Sequence, residues 1–157
     1  MNGNDTPVSN VQFSVFVANK PGMLGRVVQR LADRKVNILA VSMMDATEHG
    51  VLRLVAEEPD LVRKALGEAD VSHTETAVIT SMLPNKPGAL AELVERLDQE
   101  HIQVHYAYCT SGVRNGKGLG VFKVSNPAKA IQVLSERRPR RKTKATAIRT
   151  TGKAMRI

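Results

Sequence analysis

Two short runs carry the strongest chemical signal in the sequence. Asn19-Lys20-Pro21-Gly22 recurs as Asn85-Lys86-Pro87-Gly88, an offset of 66 residues. Each run follows a stretch that alternates like a strand and opens a stretch with helical spacing. The first amide N–H groups of a helix have no intrahelical partner, and its N-terminus carries roughly half a positive charge. Such an end takes a carboxylate without needing a charged side chain. Gly22 and Gly88 lack a Cβ and allow a ligand close to the backbone. The side chains of Asn19 and Asn85 can accept from an α-ammonium or donate to a carboxylate. Asn37 starts the next strand and is expected to face the same pocket. Lys20 and Lys86 can pair with an anion, although an exposed loop lysine is the plainer expectation for each.

Other residue types offer less. No Ser, His and Asp stand in a nucleophile-elbow context, and Cys109 lies in an alternating stretch with no base beside it. Glu57 and Glu58 precede a helix, where acids suit the dipole. No catalytic residue, no cofactor and no enzyme activity are therefore expected. His101, His105 and Cys109 are spaced by four, as metal ligands on a helix would be, but HIQVHYAYC alternates like a strand, so no metal site is expected. Arg114 and Lys117 lie in a Gly-rich loop without the spacing of a phosphate-binding P-loop. Met23, Met43, Met44 and Met82 read as core fillers. Tyr106 and Tyr108 share one strand face and are expected to pack.

The elements that position the two runs follow from the repeat. Between 19–38 and 85–104, 8 of 20 positions are identical without a gap. In the first copy Gln12–Ala18 alternates with Phe13, Val15 and Val17 on one face, a strand. Leu24, Val27, Val28 and Leu31 have helical spacing over Met23–Arg34. Strands are expected at Val36–Met44 and Val51–Ala56, with Glu48-His49-Gly50 as a hairpin loop. A helix is expected at Pro59–Leu66 with Gly67 just past its end, and a strand from Val71 to Thr76. The second copy reads Ala77–Leu83, Gly88–Glu100, Ile102–Thr110, Leu119–Val124 and Pro127–Glu136, with Asn126 as N-cap of the last helix. Each copy is βαββαβ, the split βαβ order of a four-stranded antiparallel sheet with helices on one face. The expected division is a tail over 1–10, one unit over 11–76, a second over 77–150 and a basic tail over 151–157.

A strand, then Asn-Lys-Pro-Gly-x-Leu opening a helix, then a strand starting Val-Asn-Ile resembles the ACT domain, and the chain to about Glu136 resembles free-standing tandem ACT proteins. The resemblance implies an α+β, ferredoxin-like fold, amino-acid binding at an interface between ACT units, a regulatory role and no catalysis. It extends the candidate ligand-binding set to Asn19, Lys20, Pro21, Gly22, Met23, Leu24, Asn37 and Ile38 in the first unit. In the second unit the set is Asn85, Lys86, Pro87, Gly88, Ala89 and Leu90. Gln103 replaces Asn37 in the second unit, a departure from the first.

Composition bounds the remaining readings. The chain of 157 residues has no Trp and one Cys, so the core is aliphatic and no internal disulfide forms. The N-terminus lacks a charged start followed by an apolar run, and no apolar stretch is long enough for a membrane span, so a cytoplasmic protein with no membrane partner is expected. The formal charge is +8. It resides in 137–157, which holds nine basic and no acidic residues, while 1–136 is close to neutral. Arg137–Lys142 stands where the last strand of unit two should begin, and 144–150 is strand-like enough to supply that strand. Nucleic-acid binding by this segment is the alternative function. The expected partners are a small-molecule amino acid, a second copy of the chain in a homodimer, and a partner enzyme or regulator.

Overall fold

The structure, a computed structural model, describes residues 6–44, 49–110 and 116–136. The elements in chain order are β1 (Val8–Ala18), α1 (Met23–Asp33), β2 (Ile38–Met44), β3 (His49–Ala56), α2 (Pro59–Glu68), β4 (His73–Pro84), α3 (Ala89–Gln99), β5 (Val104–Cys109), β6 (Lys117–Val124) and α4 (Pro127–Ser135). The strands form one six-stranded antiparallel sheet in the order β2-β3-β1-β4-β6-β5.

The centre of this sheet explains how two copies share it. β1 and β4 pair from Val8 opposite Thr80 to Val15 opposite His73, with Val11 opposite Ala77. Val11 and Ala77 are themselves separated by the repeat offset. Exchanging the two copies therefore maps the register onto itself, and a local twofold passes through the Val11–Ala77 pair. The consequence is an exchange of half-strands. The first half of β4 is the fourth strand of unit one, and the first half of β1 is the fourth strand of unit two. β1 accordingly starts at Val8, ahead of the expected boundary at Val11, and the expected division after Thr76 falls inside the unbroken β4. The expectation for 144–150 lies outside the described residues; the place beside the second half of β4 is held by Val8–Val11.

Alternation decides which face each strand buries. Phe13, Val15 and Val17 pack with Leu52, Leu54, Val27, Leu31, Val62 and Leu66 in the first core. Ile79, Phe122, Val124, Leu93, Leu97 and Val133 form the second. Phe13 and Ile79 project from the same side of the sheet, since paired residues share a face, so all four helices cover that one face. Among the helix ends, Asn126 caps α4 by accepting from the Lys129 amide at 3.0 Å, as expected. Gly67, expected just past the end of α2, lies within it: the helix runs to Glu68, and Asp70, at φ 50°, is the left-handed residue that follows. An aspartate tolerates that conformation better than most residues. His49 and Gly50 are not a loop but the first residues of β3, opposite Ala18 and Val17.

The helix-free face closes on itself. Ala40, Val55, Val78 and Val121 form a third buried cluster with Leu39, Tyr108 and Leu119 against it. These residues come from both ends of the six-stranded sheet, so the sheet bends until its two flanks meet. Gln12 of β1 is fully buried there. Its Nε2 donates to the Tyr106 hydroxyl at 2.7 Å, and its Oε1 accepts from the Tyr108 hydroxyl at 3.1 Å. Arg53 of β3 stacks its guanidinium 4.2 Å from the Tyr106 ring centre. Tyr106 and Tyr108 thus pack, as expected, but they do so across the bend, on the other unit.

Burial pushes the Tyr108 phenol above its ordinary value. A phenol whose folded pKa is raised contributes stability that is complete below about pH 10 and declines as pH climbs above it. Urea unfolding at pH 9 and pH 11 will show a loss of stability at the higher pH, and Tyr108→Phe will shrink that loss; equal losses in both proteins would contradict the assignment.

Candidate functional site

The two Asn-Lys-Pro-Gly runs fold alike. The Lys20 amide donates to the Ala18 carbonyl at 2.7 Å and the Met23 amide to the Lys20 carbonyl at 3.3 Å; Lys86 donates to Pro84 at 2.9 Å and Ala89 to Lys86 at 3.3 Å. Gly22 (φ 85°) and Gly88 (φ 87°) are the N-caps of α1 and α3, both left-handed, a conformation that costs any residue with a Cβ. No side chain caps either helix, and the first amide of each is taken by the lysine carbonyl of its own turn. Asn19, Lys20, Pro21, Gly22, Asn85, Lys86, Pro87 and Gly88 are all exposed.

The structure does not bring the two turns together. β1 and β4 are antiparallel, and the turns follow their opposite ends, tens of ångströms apart at about 3.4 Å per residue. Nor does it bring Asn37 and Ile38 to the first turn, contrary to the expected shared pocket. Ala18, before the turn, pairs with His49 at the start of β3, whereas Ile38 pairs with Ala56 at its end. β1 and β2 are parallel to each other, so the start of β2 lies at the far end of the sheet from the end of β1. The Asn37 carbonyl accepts from the Glu57 amide at 3.1 Å, and Ile38 packs on the first core.

The turns differ in what lies beneath them. Under the second is a cavity of about 180 Å³ lined by Asn85, Lys86, Ala89 and Leu90 together with Leu83, Cys109, Thr110 and Gly118. The matching place in unit one differs. Gly50 faces Val17 as Gly118 faces Leu83, and Val17 and Leu83 are equivalent in the repeat. A Cβ on Gly50 would stand 2.8 Å from the Met43 Cε, so the Met43 methyl lies against Gly50. Its repeat equivalent Cys109 is shorter by two heavy atoms and carries no such methyl toward Gly118. Burial raises the Cys109 pKa, so the wall carries a neutral thiol at pH 7. Lys86 is the cation at the rim, and Glu92 lies exposed in the first turn of α3.

The residues that the sequence reading missed are Leu83, Cys109, Thr110 and Gly118. The signal for them was the change in side-chain length between equivalent positions 43 and 109. A larger groove, about 300 Å³, runs beside α1 and is lined by Met23, Arg26, Val27, Arg30, Ala69 and Val71 among others. It takes in Met23 but none of Asn19–Gly22. Among the described residues no three His, Cys, Asp or Glu side chains are grouped as metal ligands, and no helix is long and apolar enough to cross a membrane.

Residues 8–141 match the family model described as an ACT domain pair. The fold is similar to that of a protein of Bacteroides thetaiotaomicron, 32% identical with a TM-score of 0.75, covering 82% of this chain and 88% of that one. It is also similar to the regulatory subunit of aspartate kinase from Thermus thermophilus in its ligand-free form, at 10% identity and a TM-score of 0.61, covering 82% of this chain and 93% of that one. The corresponding subunit from Thermus flavus aligns at 14% identity with a TM-score of 0.53, covering 82% and 94%. The chain matches none of the curated protein sequences.

Proposed function

This chain belongs to the family of ACT domain pairs, regulatory modules that generally bind amino acids, and on that premise we propose that it is an amino-acid sensor whose ligand enters the cavity under the second turn. The observation that carries the reading is the open space beside Cys109 at an uncapped helix N-terminus. The first-turn amides of α3 would receive the carboxylate, Asn85 the α-ammonium, and the wall of Leu83, Ala89, Leu90 and Cys109 an apolar side chain. The space of about 180 Å³ has room for a small aliphatic amino acid.

The partner proposed from the sequence is a second copy. The flank of unit one exposes Leu24 (38%), Val28 (43%), Val41 (55%) and Met43 (48%) along α1 and the edge strand β2, apolar surface that an edge-to-edge dimer would cover. Such a protein acts in the cytoplasm by passing ligand occupancy to a partner enzyme or regulator. In this reading the two units divide near Thr76, within β4, and Val8–Asn10 serve the sheet of the second unit and are not a tail.

Thermal unfolding in the presence of each of the twenty amino acids at millimolar concentration tests it. A small aliphatic amino acid is expected to raise the melting temperature, since a ligand at 100 times its Kd stabilises the native state by about 2.7 kcal/mol. If none of the twenty shifts the transition, the sensor reading fails. The nine basic residues of 137–157 support the second reading, nucleic-acid binding. It predicts salt-sensitive retention of DNA or RNA that vanishes on truncation after Glu136.

A further inference from the structure

The strand that walls the cavity also reaches across to the other unit. Cys109, in the cavity wall, ends β5. The preceding residue, Tyr108, projects to the opposite face and donates its hydroxyl to the buried Gln12 of unit one. Tyr106, on that same face, accepts from Gln12 and lies under the Arg53 guanidinium, also of unit one. The arrangement is one-sided. The repeat equivalents of Tyr106 and Tyr108 are Ala40 and Ser42, and that of Gln12 is Val78. No tyrosine therefore reaches from β2 into unit two. The side with the cavity is the side with the polar contacts across the bend.

We propose that Gln12, Tyr106 and Tyr108 are positioning residues that couple the cavity to unit one, so that filling the space beside Cys109 changes how β5 is held against β1 and β3. The inference rests on the cavity being the ligand site, but its test needs no ligand. Displacing β5 breaks the two hydrogen bonds, of 2.7 and 3.1 Å, to the fully buried Gln12, and a buried amide left without partners is costly. The same strand carries both the contact and the cavity wall, so loosening the contact from the unit-one side is expected to alter access to Cys109.

The composition supplies both the reporter and the handle. The chain has no Trp and two Tyr, which are Tyr106 and Tyr108, so its intrinsic near-ultraviolet signal comes from this contact above all other sites. Cys109 is its one cysteine, so iodoacetamide labels the cavity wall alone. In the full chain, alkylation of Cys109 is expected to change the tyrosine fluorescence and near-ultraviolet circular dichroism. Because Tyr108 adjoins Cys109, the deciding arm works from the distant side. Gln12→Leu, which keeps the volume and removes both hydrogen bonds, is expected to change the rate of Cys109 alkylation at fixed pH by at least about fivefold, the lower end of ordinary coupling. Tyr106→Phe, which keeps the ring and removes one hydrogen bond, is expected to change it in the same direction and by less. Should Gln12→Leu fail to fold cooperatively, Tyr106→Phe decides. An alkylation rate equal to that of the unaltered protein in the folded variant overturns the proposal. An amino-acid screen that fails while these rates move refutes the sensor reading and leaves the coupling standing.

Discussion

Replacing Cys109 by methionine will abolish the ligand-induced rise in melting temperature while leaving the unliganded protein at least as stable. Unit one supplies the geometry for this expectation, since Met43 at the equivalent position sets its terminal methyl against Gly50. A methionine at 109 would reach toward Gly118 in the same way and take up part of the roughly 180 Å³ now open, beside the turn. Filling an existing space with an apolar chain ordinarily adds some stability. Loss of the site should weaken binding by more than about a hundredfold, about 2.7 kcal/mol. The reverse substitution, Met43→Cys, should open a matching space under the first turn. Isothermal titration then reads one site per chain in the unaltered protein, none in Cys109→Met and two in Met43→Cys. Undiminished binding by Cys109→Met would place the ligand elsewhere.

The second large effect concerns β4. The Phe16 amide donates to the Ser72 carbonyl, and alternation along the antiparallel pair makes Val78 and Asn10 a hydrogen-bonded pair as well. A proline at Val78, which is fully buried, removes that main-chain donor inside the sheet, where proline is not tolerated. Val78 adjoins the Val11–Ala77 pair through which the local twofold passes, so the damage reaches both cores: the half-strand that each unit borrows is disturbed at its root. Val78→Pro is expected to lose the folded state of both units in one transition, read by far-ultraviolet circular dichroism. The unaltered protein should likewise unfold in a single transition in urea. A variant that keeps one unit folded, giving about half the native signal, would contradict the shared-strand account.

Much of this architecture is legible in the residues, and the failures have identifiable causes. The doubled Asn-Lys-Pro-Gly run fixes two strand-to-helix turns because proline holds its φ and glycine takes the left-handed φ that the turn requires. The alternation of Phe13, Val15 and Val17, and the spacing of Val27 and Leu31, announce the faces that are buried. Strand order is a different kind of information. Whether Val8–Val11 pairs with its own unit or the next depends on competition between distant segments, and nothing local in VSNV records the result. Asn37 was misplaced for the same reason. Its nearness to the first turn in sequence says nothing about the direction of β2, which pairing with β3 sets. Gln12 looked like an ordinary polar position in an alternating strand, and only the bend of the sheet buries it. The cavity could have been anticipated by comparing the copies for side-chain length at 43 and 109 instead of for identity.

The exchange of half-strands has a consequence for descent. A chain with a single copy of this repeat would present its own three strands and an unfilled fourth place, and could complete its sheet only by trading ends with a second molecule. A half-length chain of this kind would be an obligate dimer with two identical pockets. Joining two copies in one chain makes the partnership permanent and releases the two pockets from identity. The register at Val11–Ala77 had to be kept, because both halves depend on it, while positions 43 and 109 were free to part, one toward closing its pocket and the other toward keeping it open.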